Sequence, residues 1–430
     1  MTICVGLLST QAVVAQDWNQ WRGAARDGVS DGTPWPDSLQ VGSLDEVWRV
    51  DDLGGSYSSP VVQDGMLYTT GNGDSTSERV IALDAATGDR LWDRSWPVRF
   101  AMPESMAAHG NWPKSTPSVD GDDLFFLGIG EHLHRLDATT GEVRWSLDFP
   151  RRFGTPVPEF GSSSSPLIAD DSVYVQAAGS LVAIDRQTGA VRWRALNLYA
   201  SEVEVEDLET YGSPILTTLD GVEQVVVNTV MGLAGVEARS GDVLWQIPID
   251  RGVADAPNVT PTIWSRSGTD LVLTTTESSG TPLFRITRTG QAFQAEEIWR
   301  SKVSGNMASP VVAGDFAVLP LKNGRLAYLD LENRHEAWIS KPLFGAYASA
   351  VRRGDKVLLL TTDGELILLA TDAEQLRVLD TRQVAGRSWA HLAAQQARVY
   401  VRSQSALVAF EWASPRRPPS GSGESTAPRP

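Results

Sequence analysis

His109, Asn111 and Lys114 place an imidazole, an amide and an ammonium close together in one stretch of the chain. Such a set can donate and accept hydrogen bonds to a polar ligand at neutral pH. Trp112 lies among them, so the same stretch also reads as a packed loop anchored by its indole. Asn258 and Asn306 each stand just before a strand start and could face the same ligand, together with Arg251, Asp255 and Lys302. Glu202, Glu204 and Glu206 alternate, which on a strand would put three carboxylates on one face. That is a weak candidate for Ca2+, and a solvated acidic edge is the favoured reading. His132 and His134 alternate in the same way, but no third ligand accompanies them, so they read as structural and no metal site is assigned. The chain has no Gly-x-Ser-x-Gly elbow, no phosphate-cradling glycine loop and no Cys/His pair for nucleophilic catalysis.

The elements that must hold these residues come from a repeat. Ala82 to Trp92 reads ALDAATGDRLW; Arg135 to Trp145 and Ala183 to Trp193 keep its Asp, Thr, Gly and Trp, and Gly235 to Trp245 varies it with Glu237 and Ser240. The Asp can accept hydrogen bonds from the amides of the turn that follows. Thr-Gly closes the turn, with glycine supplying a positive φ. The next strand ends in an indole that can wedge between neighbouring sheets. A second marker, a small residue pair before proline, recurs at Pro60, Pro117, Pro166, Pro214, Pro261 and Pro310. Proline is tolerated where a strand begins, and these are read as innermost strands. Four strands in roughly 40–50 residues is the propeller period. The expected fold is therefore all-β: an eight-bladed β-propeller of four-stranded antiparallel blades over residues 44–412, with seven blades as the alternative. The later repeats decay, but Trp299 and Trp338 continue the series. Leu44 to Val50, which carries Trp48, supplies an outer strand that closes the last blade. Trp48, Trp92, Trp145, Trp193, Trp245, Trp299 and Trp338 are then the blade-docking residues. The links into blades two, three and four are long, about 93–114, 146–162 and 194–211, and open on one face around the channel mouth.

Composition narrows the partners. A net charge of -16 disfavours nucleic acid. One cysteine, Cys4, excludes an intrachain disulfide. Residues 1–15 are short and apolar and end in small residues, which reads as a signal peptide despite the missing basic start. Cys4 lacks a lipoprotein context. Residues 16–43 form an N-terminal extension, and 413–430, rich in Pro, Ser, Gly and Arg, a disordered tail. No run is long enough to cross a membrane as a helix. A periplasmic or secreted, monomeric protein is expected.

The Ala-x-Asp-x-x-Thr-Gly-x-x-x-Trp segment is similar to the tryptophan-docking motif of quinoprotein alcohol dehydrogenases, and it also occurs in BamB. Asp17-Trp18-Asn19-Gln20-Trp21-Arg22-Gly23, followed by Arg26-Asp27-Gly28, resembles the opening of PQQ-binding-like (quinoprotein-type) β-propeller repeat proteins of the BamB-like superfamily. The resemblance covers about Asp17 to Trp412. It implies an exported propeller, which we expect to be a non-catalytic binding or scaffold protein taking a protein or small molecule at the channel mouth. Its alternatives are a PQQ-dependent oxidoreductase using PQQ and Ca2+ on alcohols or sugars, and a BamB-like outer-membrane assembly factor. The dehydrogenases it resembles usually carry an adjacent cysteine pair, which this sequence lacks.

Overall fold

Short alternating strands joined by tight turns build eight separate four-stranded antiparallel sheets in the computed structural model, which describes residues 17–74, 76–200, 211–249, 258–305 and 307–413. Seven blades are consecutive in sequence. Their strands run Val61–Gln63 to Arg90–Pro97, Ser118–Asp120 to Val143–Asp148, Leu167–Ala169 to Val191–Ala195, Ile215–Leu219 to Val243–Ile247, Thr262–Arg266 to Ala292–Ser301, Val311–Ala313 to His335–Ile339, and Ala348–Arg353 to Arg377–Gln383. Blade 8 takes Ala393–Gln395, Arg398–Arg402 and Leu407–Trp412 and is completed by Leu44–Val50, which pairs antiparallel with Leu407–Trp412. The fold is thus an eight-bladed propeller, with first and last strands sharing a sheet.

The repeat does its structural work at the joints. Asp84 accepts from the amides of Ala86 and Thr87, and Asp137 and Asp185 do the same in their own turns. Glu237 keeps the pattern with one more methylene, accepting from Arg239 and Ser240. A register shift precedes each outer-strand tryptophan, for example between Ala82 and Leu83 opposite Trp92, and a bulge of this kind re-aims a side chain. The indoles then cross to the next blade. Trp48 donates to the carbonyl of Ala85 at 3.1 Å, Trp92 to Ala138 at 2.9 Å, Trp145 to Arg186 at 3.1 Å, Trp193 to Ala238 at 3.1 Å and Trp338 to Asp372 at 2.9 Å. Each of the first four also lies against the turn glycine of that next blade: Gly88, Gly141, Gly189 and Gly241. The blade 4/5 joint differs. Blade 5 extends its outer hairpin to Thr281–Thr289 and Ala292–Ser301, and Trp245 donates to Gln224 of its own blade at 2.7 Å. At the 5/6 joint Trp264, on the inner strand, reaches the carbonyl of Gly314, while Trp299 packs within the shared core.

Candidate binding site at the channel mouth

Strand direction gives the propeller two faces. The links between blades and the turns between second and third strands share one, here the loop face. The first turns and the Thr-Gly turns share the other. Inner strands line the channel, and the small residues before each proline form a belt around it. The amide of His391 donates to Ser59 Oγ at 2.9 Å, that of Ser59 to Thr116 Oγ1, that of Thr116 to Ser165 Oγ, that of Ser165 to Ser213 Oγ and that of Thr260 to Ser309 Oγ, the last four at 3.0 Å. An inner strand lacks a ladder partner on its channel side, so a hydroxyl from the next blade satisfies a buried amide that would otherwise be orphaned. The small-residue pair before each proline, expected only to mark a strand start, thus also supplies the hydroxyl acceptors of the belt.

The belt is filled from the turn-face side by the N-terminal segment. Trp18 exchanges two backbone hydrogen bonds with Val62, and Asn19 bonds Val119. Ile168 donates to the Gln20 side chain, Trp21 Nε1 reaches Thr260 Oγ1 at 2.9 Å, and Val29 and Ser30 lie along Arg352. Ser30 Oγ reaches the carbonyl of Ala394. Arg22 and Arg26 are fully buried here without a carboxylate in ion-pair contact among the described residues. Arg22 donates to the carbonyls of Asp27 and Pro310, and Arg26 to those of Ser165 and Pro166. Burial pushes both guanidinium pKa values down, to about 10 and about 9. Planar forks can serve as carbonyl caps of this kind. Among the described residues the plug hydrogen-bonds to every blade except blade 4. There a cavity of about 260 Å3 opens between Arg26, Asp27, Thr217 and Thr262.

At the loop-face mouth the long link into blade 2 is built around Trp112. Its indole covers Gly55, where a Cβ would stand 2.7 Å away, and meets Tyr57 edge-on at 5.6 Å. Tyr57 lies 6.0 Å from Trp389, which stacks on Tyr347 at 5.3 Å. These four aromatics bring blades 1, 2, 7 and 8 together at the mouth, and Tyr57, Trp112 and Trp389 keep part of their surface in solvent. Lys114 sits beside them, donating to the carbonyl of Gly110 at 3.4 Å, and burial pushes its pKa down to about 8. Asn111 is used by its own loop, accepting from the amide of Met102 at 2.6 Å. His109 is exposed and packs edge-on against Phe160 of the next link at 5.4 Å. Thus Lys114 and Asn111 are both engaged within the link that borders the mouth, and His109 ties that link to the next one. Asn258 is partly exposed at the start of blade 5. Asn306, Glu202, Glu204, Glu206, Arg251 and Asp255 lie outside the described residues. Tyr57, Tyr347 and Trp389 escaped the sequence reading because none belongs to the repeat.

Farther out, carboxylates stitch the loop face. Glu78 accepts from the amide of Ile129 in blade 2, and Glu131 from that of Ala178 in blade 3. Both are buried, and burial pushes their pKa values up to about 7 and about 8. His132 pairs with Asp148 at 3.2 Å and His134 with Ser146 at 2.7 Å, so the two imidazoles are engaged separately. Among the described residues no group of three or more His, Cys, Asp or Glu could hold a metal ion.

Blades docked by tryptophan on a turn glycine define a PQQ-like repeat propeller. The family model described as "Outer membrane protein assembly factor BamB" matches residues 42–111 and 76–340, more than half of the chain, and the chain belongs to that family. Among solved structures, BamB from Moraxella catarrhalis superposes with a TM-score of 0.61 at 16% identity, covering 86% of this chain and 98% of that one. The quinohemoprotein alcohol dehydrogenase of Comamonas testosteroni gives 0.64 at 14% identity, covering 94% and 82%. At these identities the likeness concerns the fold. Curated relatives include serine/threonine-protein kinase AfsK of Streptomyces griseus, 30% identical over 37% of this chain and 18% of its own length. Another is quinohemoprotein alcohol dehydrogenase ADH IIB of Pseudomonas putida, 26% identical over 37% of this chain and 23% of its own. The chain thus spans about a fifth of the length of these two relatives.

Proposed function

We propose that this chain is an exported, non-catalytic binding propeller, periplasmic or secreted, whose loop face engages a protein or small-molecule ligand at the channel mouth. The observation that carries this reading is the aromatic cluster of Tyr57, Trp112, Trp389 and Tyr347 beside Lys114. Half-buried aromatics next to a cation are the composition of a binding hot spot. The hydroxyl belt and the buried plug hold that cluster on a rigid frame, and rigid placement lowers the cost of binding. Among the described residues no helix is long and apolar enough to cross a membrane.

The test has two arms. The double variant Trp389→Ala/Lys114→Glu should lose capture of the ligand that the wild-type protein retains from an envelope extract of its native host. Purified protein incubated with PQQ and Ca2+ should neither bind the quinone nor reduce a dye with alcohols or sugars. Turnover in the second arm would replace this reading with the oxidoreductase one. Specific capture of outer-membrane assembly components in the first would specify it as an assembly factor.

A further inference from the structure

On the loop face, away from the mouth, a groove of about 440 Å3 opens at the rim between blades 5 and 6. Its walls are Lys302–Ser304 from the link between these blades, Leu321–Asn323 from a turn of blade 6, and Ile339 at the end of the outer strand of blade 6. The walls are tied together. The amide of Lys302 donates to Glu336, Lys322 N donates to the carbonyl of Ser304 at 3.0 Å, and Arg325 clamps the carbonyls of Ser340 and Lys341. The groove is therefore preformed. Its apolar lip is open: Ile339 is 45% exposed, and Leu343, beside Gly324, is 67% exposed.

The charge around it runs against that of the whole chain. The sequence carries a net charge of -16, and its lysines are Lys114, Lys302, Lys322, Lys341 and Lys356. Three of them, Lys302, Lys322 and Lys341, gather at this groove and its lip. Lys322 pairs with Glu277 at 3.2 Å. Among the described residues no carboxylate is in ion-pair contact with Lys302 or Lys341. An exposed apolar patch rimmed by polar groups marks an interaction site, and complementary charge selects its partner.

We propose that this groove docks a short acidic peptide segment of a partner protein, seating an apolar side chain between Leu321 and Ile339 and placing carboxylates on Lys302 and Lys341. The proposal rests on the reading of the loop face as a binding surface and specifies the chemistry of one partner. Three lysines on an acidic protein are too few to hold a membrane surface, where each cation contributes only about 1 kcal/mol.

The experiment uses a fluorescein-labelled peptide of alternating Asp/Glu and Leu, with one control in which Ser replaces Leu and another in which Lys replaces the acids. Anisotropy with the full chain should show binding of the acidic Leu peptide only. Ile339→Glu and Lys302→Glu should each weaken it at least ~tenfold, or about 1.4 kcal/mol. Both positions are exposed, and an unchanged melting curve confirms folding. Equal binding of the Ser control, unchanged binding by both variants, or no binding by the wild type would overturn the proposal. So would groove-dependent binding to phosphatidylglycerol vesicles. Trp389→Ala should leave peptide binding intact, so failure at the groove and failure at the mouth read separately.

Discussion

Trp48 lies flat against Gly88, and that contact joins blade 8 to blade 1. A Cβ on Gly88 would stand 2.8 Å from the indole, and the residue also holds a φ of +80°. Gly65 in the same blade has a nearly equal φ of +78° but nothing within 4 Å. The pair separates backbone strain from lost docking. Gly65→Ala should cost about 1–2 kcal/mol from the left-handed backbone alone, and Gly88→Ala about 1–3 kcal/mol more from overpacking. Urea unfolding of the two variants measures the difference, and equal losses would refute the docking role of the indole.

The belt makes a second prediction. Thr116→Val keeps the shape but removes the acceptor for the Ser59 amide. An orphaned buried donor costs about 1–3 kcal/mol. Thermal unfolding should register that loss, whereas Thr139→Val, on an exposed turn, should not.

Arg26 supplies a third. Arg26→Met leaves the carbonyls of Ser165 and Pro166 without their donor. The expected loss is about 2–4 kcal/mol, since two bonds from a charged donor contribute about 1.5–3 kcal/mol each and removing the buried guanidinium relieves part of its desolvation cost. Limited proteolysis should also cleave the variant earlier within residues 17–31. Unchanged protection would mean that the segment is held without its arginine.

The stitching carboxylates predict the response to pH. An unfolded glutamate titrates near 4.5, while Glu131 titrates at about 8 in the fold because of its burial. The folded state therefore holds more protons between these values. Stability is highest below the lower value and falls as pH rises through the upper one. Glu131→Gln keeps an acceptor for Ala178 and should flatten this slope, gaining on the order of 3 kcal/mol at pH 9 relative to pH 5. Parallel pH profiles for wild type and variant would contradict it.

The fold was readable in the sequence because propeller blades are local. Each Asp, Thr-Gly and Trp acts within one hairpin or on the next blade, so fixed spacing carries the geometry. Blade 8 was readable because its three C-terminal strands end at Trp412 without an outer strand, and Leu44–Val50, carrying Trp48, is a lone outer strand that needs a sheet to join. The mouth was less readable. Tyr57, Tyr347 and Trp389 meet only after the ring brings distant links together. Arg22 and Arg26 serve carbonyls in several blades, and no local pattern announces that role.

Lys114 gives the last prediction. A lysine titrating at about 8 is far more often neutral at pH 7 than an ordinary one. Acetylation with a limiting amount of an activated ester at pH 7, read by mass spectrometry, should modify Lys114 ahead of Lys302, Lys341 and Lys356. Slower labelling of Lys114 than of those three would argue that its ammonium is charged and shielded.

The shared sheet of blade 8 also bears on how the chain is made. Leu44–Val50 leaves the ribosome before the seven consecutive blades, and its partner, Leu407–Trp412, after all of them. Throughout translation the growing array is an open arc with an unpaired edge at each end. A chain cut anywhere before Leu407 keeps that edge and offers it to a neighbouring molecule. Closure thus works as a check on completeness, and shortened products should be found as aggregates or with chaperones.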